Sequence, residues 1–229
     1  MRVIERELYY EFELDPSIKL IYTKRPFDLD IKNINNYNLC FIPSSKKVKY
    51  LKQLHTNIVY KVFDDFVNFQ EGDGFVSSSH NVALLAYYAD CLPIYCFDSV
   101  KKYIGLIHSG YRGSFKLIFL KMLLMFESMG SNFGDLKVVF GPYNRACCYE
   151  ISSEFLAKAK SKFGRKLLDL SFCSRNGRMY FDNGSFNLRL VSNFELDIRD
   201  SGLCTYCERN LYSHREHKGG RSYAAIWRV

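Results

Sequence analysis

No apolar run in these 229 residues reaches the roughly 18 needed to carry a helix across a bilayer, which argues against helical membrane spans. The opening, Met1-Arg2-Val3-Ile4-Glu5-Arg6-Glu7, carries acidic side chains and no apolar signal core, so we expect a cytoplasmic protein with no membrane partner. Dense basic tracts are missing too. The formal net charge is +8, but Lys and Arg are scattered, and a nucleic-acid binder would show a clustered basic face. The charge still favours small anionic partners such as phosphate or nucleotides. No internal repeat or low-complexity linker breaks the chain, which reads as one domain over residues 1–229. Eight cysteines in a leaderless chain read as reduced thiols, not as a disulfide framework. Nothing in the pattern specifies an assembly beyond a monomer or weak dimer.

What is present is ordinary globular composition, 48% hydrophobic and 24% charged. Strand patterns occupy residues 8–14, 18–23, 58–63, 82–88, 93–97, 103–108, 137–140 and 223–227. A helix is predicted from about Ser114, as its cap, to Met129, with Gly130 ending it. It is apolar nearly all round, so deep burial is expected. Ser152 and Ser153 open a second helix ending near Gly164, and Phe186, Leu190, Val191 and Phe194 share the face of a third. Residues 28–50 are polar and irregular. Cys40, Cys96 and Cys173 have apolar neighbours and are expected in the core. Strands and helices come in clusters, which favours α+β over a parallel α/β fold.

Chemistry concentrates in Ala89-Asp90-Cys91-Leu92-Pro93-Ile94 and His108-Ser109-Gly110-Tyr111-Arg112-Gly113, with His55 upstream in Gln53-Leu54-His55. Each piece looks like a strand that ends by presenting a reactive side chain at a turn. Two imidazoles and a thiolate make an open zinc site if they converge, with the fourth position left for water or substrate. Zinc would ionise Cys91 and bring the pKa of a bound water toward about 7. Without metal, Cys91 would be a nucleophile with His108 as its base. Asp90 would act as general acid/base or as support for a ligand histidine. Cys204-Thr205-Tyr206-Cys207, followed by His214 and His217, offers a second metal knuckle, though the gap between Cys207 and His214 is short.

The order of motifs identifies the chain as resembling the YfiH, or laccase-domain, family. They are Thr23-Lys24-Arg25, Gln53-Leu54-His55, Gly72-Asp73-Gly74-Phe75-Val76, the Cys91 and His108 segments above, Gly141-Pro142 with Cys148-Tyr149-Glu150, Cys204-Thr205, and Tyr212-Ser213-His214-Arg215 before Gly220-Arg221. Three departures stand out: Tyr111 where Trp is usual, Thr56 where Gly is usual, and Pro26-Phe27-Asp28 in place of a Gly-rich turn.

The resemblance implies a single layered domain, a β core flanked by helices in α/β/β/α order as in the cytotoxic-necrotizing-factor/YfiH type. It implies zinc on His55, Cys91 and His108, with copper a less favoured occupant. It also implies phosphorolysis of adenosine, inosine, guanosine and methylthioadenosine, and deamination of adenosine. Phosphate would then need cations, for which Arg25 and Arg112 are the candidates. Arg112 lies just before a helix start, where backbone N–H groups also favour anions. Cys148 is placed near the pocket by the same resemblance. Editing of peptidoglycan precursors by an amidohydrolase is an alternative that the family also carries. A multicopper laccase needs many more imidazoles than the five histidines here.

Overall fold

The computed structural model describes residues 1–29, 39–216 and 219–229. In chain order the strands are β1 (Arg2–Glu5), β2 (Tyr9–Glu13), β3 (Ile18–Thr23), β4 (Lys47–Lys49), β5 (Val59–Val62), β6 (Gly74–Ser77), β7 (Val82–Tyr88), β8 (Leu92–Asp98) and β9 (Ile104–Ser109). Helices α1 (Tyr111–Phe115) and α2 (Ile118–Ser128) follow, then β10 (Leu136–Phe140), β11 (Glu150–Ile151), α3 (Ser153–Lys162), α4 (Arg165–Leu168), β12 (Phe172–Arg175) and β13 (Arg178–Phe181). The chain closes with α5 (Asn183–Leu190), β14 (Asp197–Asp200) and β15 (Ser222–Arg228).

Two six-stranded sheets run β1-β2-β3-β15-β7-β4 and β14-β10-β8-β9-β6-β5, and a small sheet runs β11-β13-β12. Most pairs are antiparallel, while β4/β7, β5/β6 and β10/β14 are parallel. The class is therefore α+β, as the sequence pattern implied. Strand β8 shows how the layers form. Every residue of it is buried, and successive side chains point to opposite faces. Leu92, Ile94 and Cys96 face α2, while Tyr95 and Phe97 meet Phe12, Leu84 and Ala224 of the other sheet. Gly105 on β9 lets α2 approach closely, since a Cβ there would lie 2.7 Å from Phe126. The far face of the first sheet, with Leu85 and Trp227, packs on Leu39, Phe41, Ile42 and Tyr50 of an irregular segment. Among the described residues that covering layer is irregular. The irregular stretch expected over 28–50 lies partly outside the described residues.

The single helix expected from Ser114 is instead two. Leu117 takes a left-handed backbone (φ 63) that separates α1 from α2. The break serves two cores. Phe115 of α1 enters an aromatic cluster with Phe155, Phe163, Phe181 and Phe186, whereas Ile118, Phe119, Met122 and Phe126 of α2 pack on the second sheet. Ser114 is buried inside α1, not capping it, and its hydroxyl bonds Gly110 and Asn183. The outer side of α2 is open to solvent: Leu124 is 47% exposed. Ser152 does cap α3, accepting from the Phe155 N–H. Cys96 is buried as expected, but Cys40 and Cys173 are exposed. Cys40 sits in a turn and Cys173 on the short edge strand β12, where an apolar flank alone does not fix which way a side chain points.

Candidate active site

Strand polarity gathers the site. Antiparallel order β8-β9-β6 puts the start of β8, the end of β9 and the start of β6 at one sheet end. Cys91 precedes β8, His108 nearly ends β9, opposite Pro93, and Asp73 precedes β6. His55 comes from the loop before β5 and is recruited through the backbone. The buried Asp73 carboxylate accepts the N–H groups of Leu54 (3.2 Å), His55 (3.0 Å) and Thr56 (2.6 Å), and the Thr56 hydroxyl (2.7 Å). The same carboxylate takes the His108 Nδ1–H at 2.8 Å. A buried charge needs this many donors to offset its lost hydration. Burial alone would raise its pKa, but His108 and Thr56 outweigh burial and lower it to about 2.

The result is a tight ligand group. His55, Cys91 and His108 present donor atoms within 4.8 Å of one another. Cys91 Sγ lies 3.8 Å from His55 Nε2, and the two imidazole rings are 4.8 Å apart. A tetrahedral ion with Zn–S of about 2.3 Å and Zn–N of about 2.1 Å separates sulfur from nitrogen by about 3.6 Å. With Asp73 on Nδ1, His108 is left with Nε2 to offer, the carboxylate–histidine arrangement common around zinc. The donor set therefore fits a divalent ion. Without an ion, burial works against the Cys91 thiolate, yet His108 and His55 bring its pKa down to about 6. Burial likewise works against the imidazolium, but Cys91 and Asp73 raise His108 to about 9.

Gly110 makes the packing possible. A Cβ there would sit 2.8 Å from Cys91 Sγ and 2.9 Å from His55 Cδ2. Two ligand-region residues hold left-handed backbones without being glycine, His55 (φ 58) and Asp90 (φ 83). Such conformations cost of order 1–3 kcal/mol each and collect at functional sites.

The group opens into a cavity of about 360 Å³, within the range of about 300–1,000 Å³ common for small-molecule sites. Asp90, Arg112, Tyr149, His214, Arg215 and Arg221 are among its lining residues. The expected residues divide here. His55, Cys91, His108, Asp90 and Arg112 all reach the cavity. Arg25 lies outside it, exposed, with its guanidinium over Tyr212. Its main-chain N–H donates to the Asn210 carbonyl at 2.8 Å. Cys148 also lies outside the lining, in a group of four thiols. Asp90 supports neither histidine: it accepts the Thr205 hydroxyl and the Arg215 N–H, both at 2.7 Å. Asp73 holds the supporting position instead. Sequence reasoning saw Asp73 only as a turn residue between two glycines, and assigned no role to Arg215 or Arg221. Their only signal was membership of the motifs. The knuckle expected from Cys204, Cys207, His214 and His217 is not formed as such: His214 lines the cavity, His217 lies outside the described residues, and the two thiols have other partners.

Among the described residues no helix is long and apolar enough to cross a membrane. The model of the family described as multi-copper polyphenol oxidoreductase laccase matches residues 32–229. A protein named purine nucleoside phosphorylase from Borreliella burgdorferi is 63% identical over 229 residues, covering all of both chains. One of the same name from Aquifex aeolicus is 30% identical over 174 residues, 72% of this chain and 75% of that protein. The crystal structure of Bacillus licheniformis hypothetical protein YfiH superposes with a TM-score of 0.85 at 22% identity, covering 97% of each chain. YlmD from Geobacillus stearothermophilus superposes at 0.83 with 21% identity, covering 98% of this chain and 97% of its own. With its motifs, its layered sheets and a match over most of its length, the chain belongs to the YfiH family of laccase-like domains.

Proposed function

We propose that the chain is a cytoplasmic, zinc-dependent purine nucleoside enzyme that phosphorolyses adenosine, inosine, guanosine and methylthioadenosine and deaminates adenosine. The observation that carries this reading is the convergence of His55, Cys91 and His108 at a cavity rimmed by Arg112, Arg215 and Arg221. The name borne by the 63% identical relative supports it. His55, Cys91 and His108 would hold the ion, which when bound supplies Lewis-acid polarisation beside the substrate. Copper is the less favoured occupant. A trinuclear copper cluster is excluded by ligand number: of five histidines, His80 bonds Lys46 and the Val229 carbonyl away from the cavity.

In phosphorolysis a phosphate oxygen bonds the ribose anomeric carbon as the bond to the base breaks. The electron pair leaves with the base, which takes up a proton. The chain must hold a dianion against that carbon. Arg112 is exposed at the rim, its Nε donating to the Tyr111 hydroxyl at 3.1 Å. Arg215 stacks over Tyr149 at 4.8 Å. Planar guanidinium groups suit bidentate phosphate binding. In deamination, water adds to the ring carbon that bears the amino group and ammonia departs. Asp90, by tying Thr205 to the Arg215 main chain, keeps that cavity wall against Cys91.

Incubation of zinc-loaded protein with adenosine tests the proposal. Inosine without phosphate, and free adenine or hypoxanthine only with phosphate, are expected by chromatography. No product under either condition overturns it.

One observation favours a second reading. Asp73, His108 and Cys91 line up as carboxylate, imidazole and thiol, which is also the order of a metal-free cysteine hydrolase. Such an enzyme would cleave an amide, for instance in a peptidoglycan precursor. Hydrolysis that survives chelation and stops on alkylation of Cys91 would favour it over zinc.

A further inference from the structure

A second cluster stands apart from the cavity. Cys147 and Cys148, in the turn after β10, meet Cys204 and Cys207, in the loop after β14, with all four sulfurs within 4.8 Å of one another. The contacts are Cys147–Cys204 at 3.5 Å, Cys147–Cys207 at 3.7 Å, Cys147–Cys148 at 3.5 Å and Cys148–Cys207 at 3.4 Å. None is a disulfide; all four thiols are free. Four sulfurs about 2.3 Å from one zinc ion would be about 3.8 Å apart at the corners of a tetrahedron. The observed separations are close to that, and too long for covalent bonds of about 2.05 Å.

Three further features point to an ion. First, main-chain N–H groups of Arg145, Tyr206 and Cys207 lie close to the Cys204 sulfur. Two of these come from its own Cys204-Thr205-Tyr206-Cys207 turn, the geometry by which a CxxC loop wraps a metal. Second, a tight turn places adjacent cysteines together: the N–H groups of Cys148 and Tyr149 both bond the Arg145 carbonyl, at 2.9 and 2.8 Å. Third, positive charge stands beside what would be a dianionic centre: Arg175 donates to the carbonyls of Ala146 and Cys147.

We infer that Cys147, Cys148, Cys204 and Cys207 form a second, structural zinc site that staples the two loops making one wall of the cavity. Four protein ligands leave no open position, so the site is closed and structural, not hydrolytic. The loops also join directly, through Thr205 N–H to the Tyr143 carbonyl at 3.1 Å. From them Asn144 and Thr205 reach Asp90, and Tyr149 reaches the cavity. This does not depend on the reading of the first site.

The test begins with the double variant His55→Ala, His108→Ala, in which the first ligand group is disabled. Purified with zinc under reducing conditions, it is expected to keep one zinc per chain, with X-ray absorption showing four sulfur neighbours at about 2.3 Å. Adding Cys147→Ser and Cys148→Ser, less buried than Cys204, is expected to remove that zinc. As a check that leaves all four cysteines in place, cobalt(II) is also titrated into the reduced, metal-free His55→Ala, His108→Ala variant. The intense visible bands of a tetrathiolate cobalt centre are expected at one equivalent. A double variant that folds but holds no metal, a sulfur count of two or fewer, or a Cys–Cys bond in the reduced-purified protein would each overturn the inference.

Discussion

The two thiol-bearing centres are made by opposite means. Cys91 and His108 stand at the ends of buried strands and His55 on the loop before β5, around a carboxylate that is itself fully enclosed. The four-cysteine group stands on two turns, with Cys147 and Cys207 exposed. The first offers three donor atoms and opens on the cavity; the second offers four sulfurs, none of them among that cavity's lining residues. A site that must leave room for a substrate needs its ligands fixed from behind, and here Asp73 does that work. A site that only joins two loops can let the ion itself impose the geometry. The first should therefore be partly built before metal arrives, and the second should be ordered by its metal.

The largest break in the comparison is His108→Ala. It is expected to remove the first metal and lower both nucleoside activities more than about 100-fold, beyond the effect usual for loss of a supporting residue. The folded chain and the metal of the cysteine group should persist, which elemental analysis with circular dichroism would check. Full activity in the metal-free variant would end the zinc reading.

Gly110→Ala comes next, and it tests preformation without removing any ligand. Its new methyl group would press on Cys91 Sγ and on the His55 ring, both held by their own backbones. A shift of about 1 Å at reacting groups can cost about 100-fold. We expect a fall of that order in kcat, with cobalt titration showing one site weakened and the other intact. An unchanged kcat would mean that the first site yields as readily as the second.

Asp73→Asn sharpens the point. The shape is kept, but the charge that receives three backbone N–H groups and His108 is lost. Metal affinity at the first site should drop about 10- to 100-fold. Isothermal titration of the metal-free variant measures it, and an affinity equal to wild type would show that the ion, not Asp73, organises these ligands.

The same contrast explains what the sequence showed. Cys91 and His108 were legible because strand ends beside Pro93 and Gly110 are where functional side chains emerge, and the apolar runs of β7, β8 and β9 are long enough to read. Asp73 was not, because a lone acid between glycines is the ordinary signature of a turn. The left-handed step at Leu117 was hidden too: leucine gives no local reason for it, and only the demands of two separate cores do. Strands β12 and β13 carry Cys173-Ser174-Arg175 and Arg178, with no apolar alternation, because one side of that small sheet is largely open to solvent. The cysteine group was half legible. Cys204 and Cys207 have the knuckle spacing, but adjacent Cys147 and Cys148 have none, and they reach their partners across 57 and 59 residues.

The smallest expected effect falls on the second centre alone. Arg175 is exposed, stacks over Tyr180 at 4.1 Å and donates to the Cys147 carbonyl at 3.0 Å. It touches no ligand of the first site. Arg175→Ala removes a surface cation and its hydrogen bond, worth about 1 kcal/mol at most. In a chain of this size that lowers Tm by about 2–4 °C. The direction distinguishes two roles. If the guanidinium offsets the charge of a metal tetrathiolate, the loss should be present in the zinc-loaded protein and nearly absent once the zinc of the cysteine group is stripped. If Arg175 merely braces the turn, both forms should lose the same few degrees, and the charge argument for a second ion loses that support.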